Sequence, residues 1–261
     1  MVEYEDELPE NTIGLIVQSR CGNMIKTVYD QLECPTLNDI TLNYPNMQSS
    51  IEHLISLNDE NVRKIIQQKG RLIIFNGPAG TGKTSMVKSI GLQWKEWADM
   101  IYVSDVDALL GDTEYMQMFI TEARDISFGK VNVYILEDVD SFIDKESKLT
   151  GGNATARLLN VLDGILGNNL PAIFILTANE EDECIHEAFL RKGRCLEFLS
   201  FSPFSPSQAR DWLIQRGILE PVLPKKPGKA KAGFATAGDS EVGIYSLADL
   251  YSILFTHEST K

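Results

Sequence analysis

The run Gly77-Pro78-Ala79-Gly80-Thr81-Gly82-Lys83-Thr84 has the spacing G-x-x-x-x-G-K-[ST] of a phosphate-binding loop, or P-loop. Its chemistry follows from the residue types. Glycines let the backbone fold tightly enough for successive N–H groups to face one phosphate. A helix opening near Lys83 adds the positive end of its dipole. The Lys83 ammonium reaches the β- and γ-phosphates, and the Thr84 hydroxyl takes one position on Mg²⁺. Ser85 follows directly and is counted with residues 77–84 as cofactor-binding. A glycine-rich turn that binds nothing is the alternative. It does not call for the apolar strand Leu72-Ile73-Ile74-Phe75 before the loop or the helical segment 85–94 after it.

Such a loop needs a carboxylate at the tip of another strand of the same sheet. Residues 131–136 form an apolar run, followed by Glu137-Asp138-Val139-Asp140. Strand residues alternate faces, so neighbouring acids at the tip do different work. Glu137 would hold the magnesium shell through water, and Asp138 would polarise the attacking water. The alternative is a solvated acidic turn.

The elements that must position these groups are short apolar runs, each followed by a helical segment: 71–76, 100–104, 131–136, 172–177 and 195–201. Runs this short and apolar suit strands buried on both faces. Strands alternating with helices imply a parallel sheet with right-handed crossovers. The spacing therefore predicts an α/β fold, a P-loop three-layer sandwich with a five-stranded parallel sheet and then a small α-helical lid. Three regions are expected: an N-terminal extension over 1–34, a core over 35–202 and a helical unit over 203–261 with a flexible loop at 221–240. In the extension, only 13–17 reads as a short strand. A helix with a broken apolar stripe is predicted from Ser49 or Ser50 to Gly70. Ser205-Pro206-Ser207 opens a helix running to about Arg216, and 245–255 forms the last one.

Composition narrows the function. The chain has 261 residues, 43% of them hydrophobic, which excludes disorder for most of its length. Its net charge of −13 argues against a broad nucleic-acid-coating surface. Lys225, Lys226, Lys229 and Lys231 are the best basic candidates, and they read as a solvated tether. No apolar run approaches the ~20 residues of a membrane span. The acidic N-terminus lacks the basic region of a secretory signal. Cys21, Cys34, Cys184 and Cys195 form neither a CxxC pair nor a zinc spacing, which predicts a reducing, cytoplasmic compartment. Cys184 and His186 read as a coincidence of helix start rather than a metal site.

Over residues 35–261 the chain resembles the AAA ATPases, and further motifs agree with that family in order and spacing. The resemblance implies ATP and Mg²⁺ as cofactors. Thr177-Ala178-Asn179 resembles sensor 1, with Asn179 bonding the lytic water or the γ-phosphate. Leu190-Arg191-Lys192-Gly193-Arg194 resembles the L-R-x-G-R segment, which makes Arg191 and Arg194 arginine fingers for a neighbouring subunit. Pairing of these arginines with surface acids is the alternative. Residues 158–164 resemble a helix end at which Gly164 is structural. Ser246-Leu247-Ala248-Asp249-Leu250 resembles the lid motif that closes Ala248 over adenine. Leu37-Asn38-Asp39-Ile40 resembles the segment that lines the adenine pocket from the other side, through Asp39 and Ile40.

Three departures matter. The Glu137-Asp138 order inverts the family's usual Asp-Glu. With the following Val-Asp it resembles the branch containing the mitochondrial translocase of the Rieske iron–sulfur protein. Leu109-Leu110-Gly111 stands where the family places an aromatic residue in the ring's pore, or else packs inside the domain. Leu247 replaces the lid glycine. The expectation is an oligomeric, hexameric ring that hydrolyses ATP and remodels a protein client, through an adaptor or a small dedicated client. An ATP-dependent assembly switch or scaffold with slow hydrolysis is the alternative, and a nucleic-acid motor or loader ranks third.

Overall fold

A computed structural model describes residues 9–22, 24–125, 129–144, 152–163, 172–179, 184–224 and 244–258. One sheet of seven strands organises the chain: β1 (Thr12–Cys21), β2 (Met24–Glu33), β3 (Leu72–Asn76), β4 (Ala98–Val103), β5 (Val131–Leu136), β6 (Ala172–Ala178) and β7 (Cys195–Ser200). Their order across the sheet is β2-β1-β4-β5-β6-β3-β7. Five of the seven are the apolar runs read from sequence. The other two correct the five-strand expectation: β1 pairs parallel with β4, and β2 returns antiparallel along β1 over its whole length. The short strand expected at 13–17 is ten residues long. Strand β2 escapes an apolar-run search because it is the sheet's edge and most of its side chains face solvent.

Every residue of β3, β5 and β6 is buried. That is the mark of parallel strands covered on both faces. On one face lie α1 (Leu37–Ile40), α2 (Gln48–Ile55), α3 (Asp59–Lys69) and α4 (Lys83–Trp94), sharing a core with Ile73, Phe75, Val133 and Ile175. On the other lie α5 (Val106–Gly111), α6 (Thr113–Asp125), α7 (Asp140–Ile143) and α8 (Gly152–Asp163), packed on Leu72, Ile74, Tyr134 and Phe174.

The helix expected from residue 49 to 70 is two helices. Asn58 breaks it: its side chain accepts from the Glu60 and Asn61 amides at 3.0 and 3.1 Å, and Asn61 bonds back to the Asn58 amide at 3.0 Å. Three backbone amides are satisfied locally, so the chain restarts as α3 rather than continuing α2. Gly70 ends α3 with φ +113°. A Cβ there would lie 2.3 Å from the Arg194 carbonyl.

After the sheet come α9 (Pro206–Gln215) and α10 (Leu247–Glu258). Ser205 caps α9 in a reciprocal pair with Gln208. The two helices have their own apolar core of Phe204, Trp212, Leu213, Leu250 and Leu254. Gly164 and Lys225, Lys226, Lys229 and Lys231 lie outside the described residues.

Because Gly70 is both in the left-handed region and pressed on the Arg194 carbonyl, Gly70→Ala is expected to cost about 2 kcal/mol. For a chain of this size that lowers the melting temperature by about 4–8 °C, which calorimetry reads directly.

Candidate active site

The end of β3 cannot continue straight, because Gly77 turns there with φ +145°. A Cβ on it would sit 2.1 Å from the Phe201 carbonyl oxygen. Gly82, at φ +96°, is held as tightly: a Cβ would meet the Tyr44 hydroxyl at 2.7 Å and Leu247 Cδ2 at 2.8 Å. The Tyr44 hydroxyl donates to the Gly82 carbonyl at 2.8 Å, and burial pushes that phenol's pKa well up. The Ala248 amide donates to the Gly80 carbonyl at 3.1 Å, which ties α10 to the loop.

Lys83 opens α4 and is only 8% exposed. Its ammonium donates to Gly77 O at 2.5 Å, Pro78 O at 3.1 Å and Asn179 Oδ1 at 2.8 Å. Burial lowers its pKa, and Asp140, Asp138 and Glu137 oppose that shift. Thr84 Oγ1 donates to Glu137 Oε1 at 2.9 Å. Two hard oxygen donors thus converge at the cleft, which suits Mg²⁺.

At the β5 tip, Asp138 has φ +55°, the one non-glycine residue with positive φ among those described. Its amide donates to Thr177 Oγ1 at 3.2 Å, which holds the turn against β6. Its carboxylate accepts from Asn179 Nδ2 at 3.2 Å. Asp140 grips the same asparagine: it accepts from the Asn179 backbone amide, and from Nδ2 at 3.3 Å. Tyr102, on β4, stands beside this group, and burial first and then Glu137 push its phenol up. Lys83, Thr84, Glu137, Asp138, Thr177 and Asn179 line a cleft of about 450 Å³ that runs from Ala79, Gly80 and Ser85 to Leu247, Ala248 and Tyr251.

Residues 73–203 match the profile of the ATPase family associated with various cellular activities (AAA). The chain belongs to the AAA family. The domain is accordingly an ATPase. Protein CdcH of Halobacterium salinarum is 21% identical over 73% of this chain and 27% of its own length. The peroxisomal ATPase PEX6 of Candida glabrata is 30% identical over 47% of this chain and 12% of its own. The probable replication factor C subunit 2 of Dictyostelium discoideum is 26% identical over 75% of this chain and 56% of its own. The chain thus spans from about an eighth to just over half of these relatives.

The structure brings together the P-loop, Glu137, Asp138, Asn179 and Ala248, and holds other candidates apart from them. Asp39 is exposed and its carboxylate is turned onto Thr36, accepting from the Thr36 amide and hydroxyl at 2.8 and 2.7 Å. Ile40 is buried in the sheet's core, and neither residue lines the cleft. Arg191 is exposed, with Glu187 3.8 Å away. Arg194 donates to the Ala188 carbonyl. With Arg71 and Lys192 they line a separate cavity of about 570 Å³. Leu109 and Leu110 are buried against β4 and β5 in the core, so of the two readings of that segment the packing one is observed. His186 is buried, its Nδ1 accepting from the Ala188 amide at 3.0 Å. No group of three or more His, Cys, Asp or Glu side chains set to ligate a metal ion is found among the described residues.

Sequence reasoning missed Asp140, Thr177, Tyr44 and Tyr251. Asp140 and Thr177 were in view as neighbours of the acids and the asparagine, but nothing in a single sequence says that they bond across two strands. Asp140 orients Asn179 from two sides, so Asp140→Ala is expected to lower turnover about 10- to 100-fold, the scale usual for groups that orient a working ligand. ATP affinity should stay within about twofold, because Lys83 keeps its two loop carbonyls. Steady-state kinetics beside a direct ATP-binding titration separates the two.

Proposed function

We propose that this AAA ATPase works as a ring oligomer that remodels a protein partner, with each ATP site completed by a neighbouring subunit. The observation that carries this reading is the position of Arg191 and Arg194. Arg194 bonds to the amides of Arg71 and Leu72 at the start of β3, whereas the P-loop leaves the end of β3. Five residues of strand separate them, roughly 15 Å at the usual rise. Neither guanidinium serves its own cleft from there. Both are suited to a cleft presented by a second copy.

Within one site, Thr84 and Glu137 would hold Mg²⁺, which neutralises charge on the β- and γ-phosphates. Lys83 takes the phosphate oxygens. Asp138 orients and polarises the attacking water, and Asn179, steadied by Asp140, hydrogen-bonds the water or the γ-phosphate. The left-handed backbone at Asp138 aims a carboxylate one methylene shorter than glutamate, which is how the inverted Glu-Asp order keeps a working geometry.

The second reading, an assembly switch or scaffold that hydrolyses slowly, draws support from Leu109 and Leu110. Both are core residues, so this segment offers no side chain to grip a threaded polypeptide. The net charge of −13 weighs against a nucleic-acid motor or loader. No helix among the described residues is long and apolar enough to cross a membrane.

Arg191→Ala is expected to bind ATP like the unaltered protein and to lose about 10³-fold or more in turnover. Mixing it with Lys83→Ala, which has fingers but no working loop, should restore activity above either alone. Full turnover by Arg191→Ala in isolation would overturn the shared-site reading. Assembly with ATP but scarcely any turnover in the unaltered protein would bring the switch forward.

A further inference from the structure

The far end of the ATP cleft is walled by Leu247, Ala248 and Tyr251 of α10. With the phosphates at the P-loop, this is the end that faces the base. Tyr251 is the one residue of the three with a polar side chain, and a network outside the cleft fixes what its hydroxyl can do.

The centre of that network is Asn43, which is 4% exposed. Its Oδ1 accepts from Trp212 Nε1 at 2.8 Å and from Arg216 Nη2 at 3.2 Å. Indole and guanidinium nitrogens only donate, so the amide cannot be turned round. Asn43 Nδ2 therefore faces Tyr251 and donates to its hydroxyl oxygen at 3.2 Å. With the oxygen accepting there, the Tyr251 O–H proton is left to point elsewhere. Arg216 lies over both rings, 4.4 Å from Trp212 and 5.4 Å from Tyr251, and its Nη2 also donates to the Asp39 carbonyl at 3.1 Å. Trp212 meets Tyr251 edge-on at 5.1 Å. The phenol is thus held by Arg216 over its ring, by Trp212 beside it and by Asn43 at its tip.

We infer that Tyr251 is a base-selecting residue of the ATP site, donating its hydroxyl proton to an acceptor nitrogen of adenine, with Asn43 and Arg216 as its positioning residues. This rests on the ATPase reading of the cleft. Selection by this donor is selection at N1: adenine N1 accepts, whereas guanine N1 carries a proton and would meet the hydroxyl donor to donor, leaving one unsatisfied. N3 and N7 accept in both bases and do not separate them.

The experiment measures ATP and GTP hydrolysis and binding for the full chain, with Lys83→Ala as the blank. Tyr251→Phe keeps the ring and removes the donor. It should raise KM for ATP about 10-fold, the worth of one such bond, while kcat stays within about twofold. The preference for ATP over GTP should shrink by a similar factor. Arg216→Gln should move KM and preference the same way, with a melting curve showing that it folds. Unchanged KM and preference in Tyr251→Phe, in a protein whose binding still depends on Lys83, would overturn this inference alone. A loss seen only in Tyr251→Ala would assign the ring and overturn the role of the hydroxyl. Absence of Lys83-dependent binding in the unaltered protein would overturn the ATPase reading and this one with it.

Discussion

An ammonium taken out of water has to be met by oxygen, and Lys83 is met by three: two carbonyls of its own loop and the side chain of Asn179. An unpaired charge at that depth would cost several kcal/mol. Meeting the requirement fixes much else. The loop must curl back on its lysine, so Gly77 and Gly82 take conformations that other residues resist. Strand β6 must lie beside β3 in parallel register, because it delivers Asn179 from the same end of the sheet. Asn179 must then be held, and Asp140 at the tip of β5 holds it. The central order β5-β6-β3 is therefore also the order in which the site's groups support one another.

What could be read in the sequence follows the same logic. The P-loop is legible because its glycines, lysine and threonine must be consecutive. Strands β3, β5 and β6 are legible because burial on both faces leaves few polar residues in them. The hairpin of β1 and β2 is not, because an edge strand mixes Lys26, Thr27, Asp30 and Gln31 with apolar residues and gives no run to find. The restart at Asn58 was hidden by Leu57, which is buried and continues the apolar stripe across the break. Leu109 and Leu110 could be core or channel by composition, and only the packing of α5 on the sheet decides. Asp140 and Tyr251 escape for a different reason: their partners lie 39 residues and 208 residues away along the chain.

The sheet itself separates two chemistries. Parallel strands send every crossover back to the same side, so the loops at their C-terminal ends gather Lys83, Glu137, Asp138 and Asn179. The opposite end gathers Arg71, Arg191, Lys192 and Arg194, with Gly70 allowing the close approach between α3 and the loop before β7. One end is acidic around one lysine and the other is basic. The proposed ring rests on this division, because head-to-tail contacts bring opposite ends of two copies together and close into rings when the rotation permits.

The helical unit meets the rest of the chain on different terms. Its apolar core is separate from the two that sandwich the sheet. The polar contacts across are few: the Ala248 amide on the Gly80 carbonyl, and the cluster in which Asn43 meets Trp212, Arg216 and Tyr251. An interface of few, directional bonds responds more to one added partner than a broad apolar seam does, because each bond is a large share of the whole. A nucleotide bound in the cleft as proposed would touch the P-loop at one end and α10 at the other, and would add its contacts to this short list. The same residues that wall the cleft, Leu247, Ala248 and Tyr251, are those that join the unit to the sheet.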